Sequence, residues 1–122
     1  MKTILVAEDH EAVRKFITAT LLPTNFDVVP VGDGKEALEV LPLAKIDLLI
    51  TDLQMPNIAG INLIKTVREN PKYQKLPIII LSGLDNSEIQ NAMTAGANSY
   101  LRKPFNATQL QSEISKYLQP IG

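Results

Sequence analysis

Three short runs of the chain, Ile4-Leu5-Val6-Ala7, Leu48-Leu49-Ile50 and Ile78-Ile79-Ile80-Leu81, are apolar at every position. A strand with one wet face alternates apolar and polar residues, whereas a strand without alternation needs cover on both faces, as in a parallel sheet sandwiched by helices. Between the runs, apolar residues return at helical spacing: Val13, Phe16, Ile17 and Leu21 early, and Leu110, Ile114 and Leu118 late. Strand runs and helical stretches in alternation predict βα units and an α/β fold. The strands expected are Thr3–Ala7, Asp27–Val31, Ile46–Thr51, Pro77–Leu81 and Ser99–Arg102. Shorter helices are expected from about Lys35 to Leu41, Ile61 to Glu69 and Asn86 to Ala95, with Gly34, Gly60 and Gly96 as punctuation.

The second strand, "DVVPV", contains Pro30. A proline cannot donate a ladder hydrogen bond, so its strand belongs at an edge of the sheet. Among doubly wound sheets, the flavodoxin-like order 2-1-3-4-5 puts the second strand at an edge and opens a ligand crevice by the first and third. The expectation is therefore a single doubly wound, five-stranded parallel sheet with helices on both faces.

Length and composition narrow the function. A chain of 122 residues fits one domain, here residues 1–122, able to bury roughly two-thirds of its unfolded surface. With 12 basic residues against 13 acidic ones, it lacks the basic footprint of a nucleic-acid binder. Cysteine is absent, which excludes disulfides and thiolate chemistry and fits a reducing compartment. The N-terminus turns acidic at Glu8-Asp9 before a signal-peptide core is complete, and no apolar run nears the ~20 residues that span a bilayer. A soluble, cytoplasmic protein is expected.

Laid on that topology, the polar residues at the C-terminal strand ends converge. The first strand ends in Glu8-Asp9, the third in Asp52, the fourth in Ser82, and the fifth in Lys103 after Tyr100. Crowded carboxylates raise one another's pKa, so a counter-charge is required. Lys103 supplies one; a hard divalent ion such as Mg²⁺, which takes one or two carboxylates plus waters and a phosphate oxygen, can supply more. A carboxylate in such a nest can attack a phosphoryl donor and form an aspartyl-phosphate. Asp52 is placed to be the nucleophile, Asp9 and Glu8 to hold metal, and Lys103 and Ser82 to contact phosphate oxygens.

The stretches "VAED", "TDLQMPNIAG", "ILSG" and "NSYLRKPF", ordered along essentially the whole chain, resemble the response-regulator receiver domains, the CheY-like phosphoacceptors of two-component signalling. The resemblance implies that Asp52 accepts a phosphoryl group from a histidine kinase or a histidine phosphotransfer protein. It implies Mg²⁺ held by Asp9, Asp52 and the backbone carbonyl of Gln54, with Ser82 and Tyr100 as a hydroxyl and aromatic switch. Lys103 becomes the phosphate-binding lysine, its bond to Pro104 cis, and the chain promotes only its own phosphorylation and dephosphorylation. An output protein or downstream effector domain would read the face of the fourth helix, fifth strand and fifth helix, including Ile89, Gln90, Met93, Tyr100, Arg102 and Gln109. The chain suits a stand-alone receiver or a piece of a longer regulator equally.

Some positions depart from the family pattern. Glu8 stands where aspartate is most common, so its contact with metal is direct or through water. Ser82 replaces the common threonine and lacks the methyl that restrains the rotamer. Leu84 cannot orient an attacking water, which points to slow loss of phosphate. His10, the sole histidine, reads as a surface residue on the first helical turn, and Asp9 alone would read as an N-cap.

Rival functions are weaker. A flavin carrier needs amides and hydroxyls after the first strand, where this chain has "EDHEA". Aspartyl phosphatases have a second acid two residues beyond the nucleophile, where this chain has Gln54. A receiver-like binding module acting without phosphorylation is the remaining alternative.

Overall fold

The computed structural model describes residues 1–83 and 86–118. Strands β1 (Thr3–Ala7), β2 (Asp27–Val31), β3 (Leu48–Asp52), β4 (Ile78–Ser82) and β5 (Ser99–Arg102) alternate with helices α1 (Glu11–Leu21), α2 (Gly34–Val40), α3 (Gly60–Glu69), α4 (Asn86–Ala95) and α5 (Ala107–Ser115). The strands form one parallel sheet in the order β2-β1-β3-β4-β5, as the sequence predicts. No helix among the described residues is long and apolar enough to cross a membrane.

The unalternated runs divide between two cores. Ile4, Val6, Leu48, Ile50, Ile79 and Leu81 face α1 and α5, meeting Ile17, Leu21, Leu110 and Ile114. Their neighbours Leu5, Ala7, Leu49, Ile78 and Ile80 face α2, α3 and α4, meeting Ala37, Leu63, Ile64, Val67, Ile89 and Ala92. Period-two side-chain direction thus splits each continuous run between opposite faces. Phe16, expected in the core stripe of α1, is instead partly exposed at the rim, where its ring lies 6.0 Å from that of Phe105.

β2 shows why Pro30 is tolerated. The Asp27 amide donates to the Lys2 carbonyl at 2.9 Å, and the Val31 carbonyl accepts from the Glu8 amide at 3.1 Å. Backbone groups of residues 27 and 31 therefore face β1, and by alternation the nitrogen of Pro30 faces the free edge, where no ladder bond is lost.

β3 begins at Leu48 rather than Ile46 and runs through Asp52; β4 begins at Ile78 rather than Pro77 and runs through Ser82. Pro77 has no amide to open the ladder, and only its carbonyl takes part, accepting from the Leu49 amide at 3.0 Å. At the other end, Asp52 pairs with Leu81 and Ser82 with Arg102. Both polar residues are thus the last rungs of strands, not the first residues of loops.

Gly34 and Gly60, expected as punctuation beside helices starting near Lys35 and Ile61, are the first residues of α2 and α3. Gly34 follows the N-cap Asp33, whose carboxylate accepts from the Glu36 amide at 2.8 Å and from Asn57 Nδ2 at 2.7 Å. At Gly60 the start of α3 passes so close to the end of β3 that an added Cβ would lie 2.2 Å from the Asp52 carbonyl oxygen and 2.7 Å from Leu53 Cα. Of the three glycines expected as punctuation, Gly96 is the one with positive φ, 128°, and it follows the end of α4.

Gly60→Ala should therefore destabilise the fold by about 1–3 kcal/mol despite alanine's better helix propensity, because the clash is with backbone. Gly32→Ala is the control: the nearest atom there is Arg14 Nη1 at 3.6 Å, and the change should stay within about 0.5 kcal/mol. Urea midpoints measure both, and equal midpoints would contradict the close approach.

Candidate functional site

The ends of β1, β3 and β4 and the residue after β5 meet in one crevice. Glu8, Asp52 and Ser82 are buried, an unusual concentration of polar groups that each need a partner. Lys103 provides the central one. Its Nζ donates to Asp52 Oδ2 at 2.8 Å and to Glu8 Oε2 and Oε1 at 3.1 and 3.2 Å. The lysine is aimed inward because its own amide continues the ladder, donating to the Ser82 carbonyl at 2.9 Å, before the cis bond to Pro104 turns the chain.

Asp52 is held on its other oxygen as well. Oδ1 accepts from the Leu53 amide at 2.7 Å and from the Gln54 amide at 3.3 Å, so the turn after β3 fixes the carboxylate's rotation. The Gln54 amide is thereby brought beside the acid. Ser82 is the buried last residue of the next strand, β4.

Glu8 turns its extra methylene inward. It is 0% exposed, and both carboxylate oxygens are engaged by Lys103, with Oε1 also accepting from the His10 amide at 3.2 Å and from His10 Nδ1 at 2.9 Å. Burial first, and then the charge of Asp52, push the Glu8 carboxyl above its ordinary value. Burial alone would lower the Lys103 ammonium, but its contacts with Asp52 and Glu8 outweigh that and raise it.

Asp9 does not cap α1; His10 occupies the N-cap position and makes no side-chain cap. Asp9 Oδ1 is instead buried and accepts no hydrogen bond, with His10 Nδ1 lying 3.3 Å away. One ligand atom from each of Glu8, Asp9, His10 and Asp52 lies within 4.8 Å of the others. An oxygen-rich donor set with an orphaned buried oxygen fits a hard divalent cation.

His10 is the residue whose place the sequence reading underestimated. It is exposed, as expected, yet its ring is docked on both acids. The available signal was its offset of two from Glu8 at a strand-to-helix turn, where the chain folds back on itself.

The outer residues of the expected switch and output face are mixed. Tyr100 is 45% exposed, with the Arg102 guanidinium 5.8 Å above its ring, so it is not core packing. Gln90 is exposed and Met93 half-buried, but Ile89 is buried in the core and cannot contribute to a surface. Gln109 is exposed but already engaged, accepting from the Asn106 amide at 2.9 Å in a capping box that starts α5. Leu84, expected to govern phosphate loss, lies outside the described residues.

Comparison with known proteins agrees with this geometry. The family described as "Response regulator receiver domain" matches residues 4–115. The chain is 32% identical over 121 residues to the chemotaxis protein CheY of Pseudomonas aeruginosa, covering 98% of each. It is 35% identical over 116 residues to the sensor histidine kinase TmoS of Ectopseudomonas mendocina, covering 94% of this chain but 12% of that protein. Among solved structures, the receiver domain of the sensor histidine kinase PA1611 from Pseudomonas aeruginosa PAO1, with a magnesium ion coordinated in its active site cleft, aligns with a TM-score of 0.86 at 28% identity over 95% of this chain and 96% of that one.

The hydrogen bond to Glu8, followed by the charges of Asp9 and Glu8, raises His10 above its ordinary value. A raised folded value means that the protonated ring favours the fold below the unfolded value, and that this contribution vanishes as pH rises through the folded one. An NMR titration of the sole histidine, without added metal, should show the raised value, and Glu8→Gln should move it back toward an ordinary histidine. No movement would detach His10 from Glu8.

Proposed function

The chain belongs to the response regulator receiver domain family, a family of two-component signalling, and from that premise we propose that it is a phosphoacceptor switch centred on Asp52. The observation that carries this reading is the fixed Asp52 carboxylate, with Leu53 and Gln54 amides on one oxygen and Lys103 on the other. A nucleophile held this way needs little reorganisation to meet an incoming phosphorus atom.

In the proposed step an Asp52 oxygen forms an O–P bond as the N–P bond of a phosphohistidine donor breaks, and the imidazole leaves with the bonding pair. Lys103 exchanges part of its contact with Asp52 for an oxygen of the transferred group, and the Ser82 hydroxyl contacts another. Asp9, Asp52 and the Gln54 carbonyl, with Glu8 direct or through water, would hold Mg²⁺, which when bound neutralises charge on the phosphoryl group.

The donor is a histidine kinase or a histidine phosphotransfer protein. The chain acts catalytically on itself alone, promoting its own phosphorylation and hydrolysis. Ser82 and the exposed Tyr100 form the switch that shifts the population between two conformations. An output protein or downstream effector domain reads the face bearing Gln90, Met93, Tyr100, Arg102 and Gln109. Neither nucleic acid nor membrane is a direct partner of this chain, whose net charge is −1, and its working place is the cytoplasm.

Incubation with acetyl phosphate and Mg²⁺ tests the reading. Intact mass should rise by one phosphoryl group in the wild type and not in the near-isosteric Asp52→Asn. Uptake that survives Asp52→Asn places the acceptor elsewhere, and an unmodified wild type leaves a binding module that works without phosphorylation.

Mg²⁺ should also stabilise the fold, because an ion bound only by the native state at a hundredfold excess over its Kd contributes about 2.7 kcal/mol. Tm should rise with Mg²⁺, and the increment should shrink markedly in Asp9→Asn. An unchanged increment would remove Asp9 from the metal site.

A further inference from the structure

The proposed Mg²⁺ site leaves His10 without a task, although its imidazole nitrogen stands among the acids. Nδ1 lies 2.9 Å from Glu8 Oε1 and 3.3 Å from Asp9 Oδ1. Two donors bonded to one ion at about 2.1 Å are separated by roughly 3.0 Å across a right angle and roughly 3.4 Å across a tetrahedral angle. The Nδ1 proton now shared with Glu8 Oε1 must leave for the nitrogen to bind an ion, and once it has left, the ring stands at the spacing of a co-ligand beside two carboxylate oxygens.

The donor chemistry separates metals. Glu8, Asp9 and Asp52 offer oxygens and His10 offers nitrogen, all mutually within 4.8 Å. Mg²⁺ keeps oxygen ligands and several waters and gains little from imidazole, whereas zinc and its late first-row neighbours bind imidazole well. Asp9 Oδ1, buried and accepting no hydrogen bond, is the oxygen adjacent to that nitrogen.

We propose that His10, through Nδ1, is a further metal ligand of the acidic cluster, giving this chain a mixed nitrogen and oxygen site for a divalent ion of the zinc class, while Mg²⁺ is bound by oxygen alone. The proposal rests on the reading of the cluster as a metal site, and not on phosphoryl transfer to Asp52. Two ions would then compete for shared carboxylates, with His10 setting their relative affinity.

The test uses the untagged full chain, Zn²⁺ and Mg²⁺ as probes, and a pH at which the imidazole is neutral. The ring C–H signals of the sole histidine report ligation without ambiguity, and calorimetry gives the affinities. Zn²⁺ should move the ring signals with one-to-one saturation, excess Mg²⁺ should reverse the change, and Mg²⁺ alone should move them little. His10→Ala, an exposed substitution, should weaken Zn²⁺ about tenfold or more and Mg²⁺ by less than about twofold.

Equal Zn²⁺ affinity in His10→Ala, or ring signals unmoved at Zn²⁺ saturation, overturns the proposal. So does a ring shift that is unaltered in both Asp9→Asn and Asp52→Asn, which means that His10 binds zinc alone at the surface. Failure of acetyl phosphate to modify Asp52, with these zinc results intact, overturns the phosphoacceptor reading and leaves the metal assignment standing.

Discussion

One ammonium group organises the crevice. Lys103 reaches back from the end of β5 to bond carboxylates carried by β1 and β3, tying together strand tips that diverge as a twisted sheet opens. Buried ion pairs add little net stability once desolvation is counted, so the importance of this one lies in position. It fixes where two negative charges stand and leaves them in excess of the lysine that holds them. The surplus is what makes the crevice receptive to a cation, and Asp9, whose inner oxygen has no hydrogen bond, is where it is most evident.

The sheet was legible in the sequence because burial on both faces and a proline at an edge each leave few alternatives. The gathering of the acids and their lysine was legible because topology collects strand tips: Glu8, Asp9, Asp52 and Lys103 come from segments up to 95 residues apart, and only the strand order places them together. What escaped was finer. The boundary differences at β3 and β4 depend on which residues complete the ladder: Ile46 looks as strand-like in sequence as its neighbours, and a proline such as Pro77 is admissible as the first residue of a strand. His10 escaped because exposure and docking are not opposites, and one ring face can be wet while an edge nitrogen meets buried acids. Ile89 was misassigned to the surface because a helix of modest amphipathicity does not announce its rotation.

Other organising residues carried no sequence signal at all. Arg68 reads as an ordinary charge near the end of α3, yet its guanidinium donates to the carbonyls of Tyr73, Gln74 and Gly96 and to Asn98 Oδ1. Its aliphatic stem occupies the space a side chain at Gly96 would fill, with an added Cβ only 2.7 Å from Arg68 Cγ. One side chain thereby satisfies the loop carbonyls on the approach to β4 and β5. Such multiplicity arises from loops meeting in space, which neither periodicity nor motif encodes.

The two borders of the sheet are not equivalent. On β2 the outward backbone row is interrupted at Pro30, whereas the outward row of β5 contains no proline. A neighbouring chain seeking to extend the sheet would find donors continuous along one margin only. Proline on β2 therefore guards one margin of the sheet against strand addition, while β5 relies on its shortness, four residues, and on the charge of Arg102.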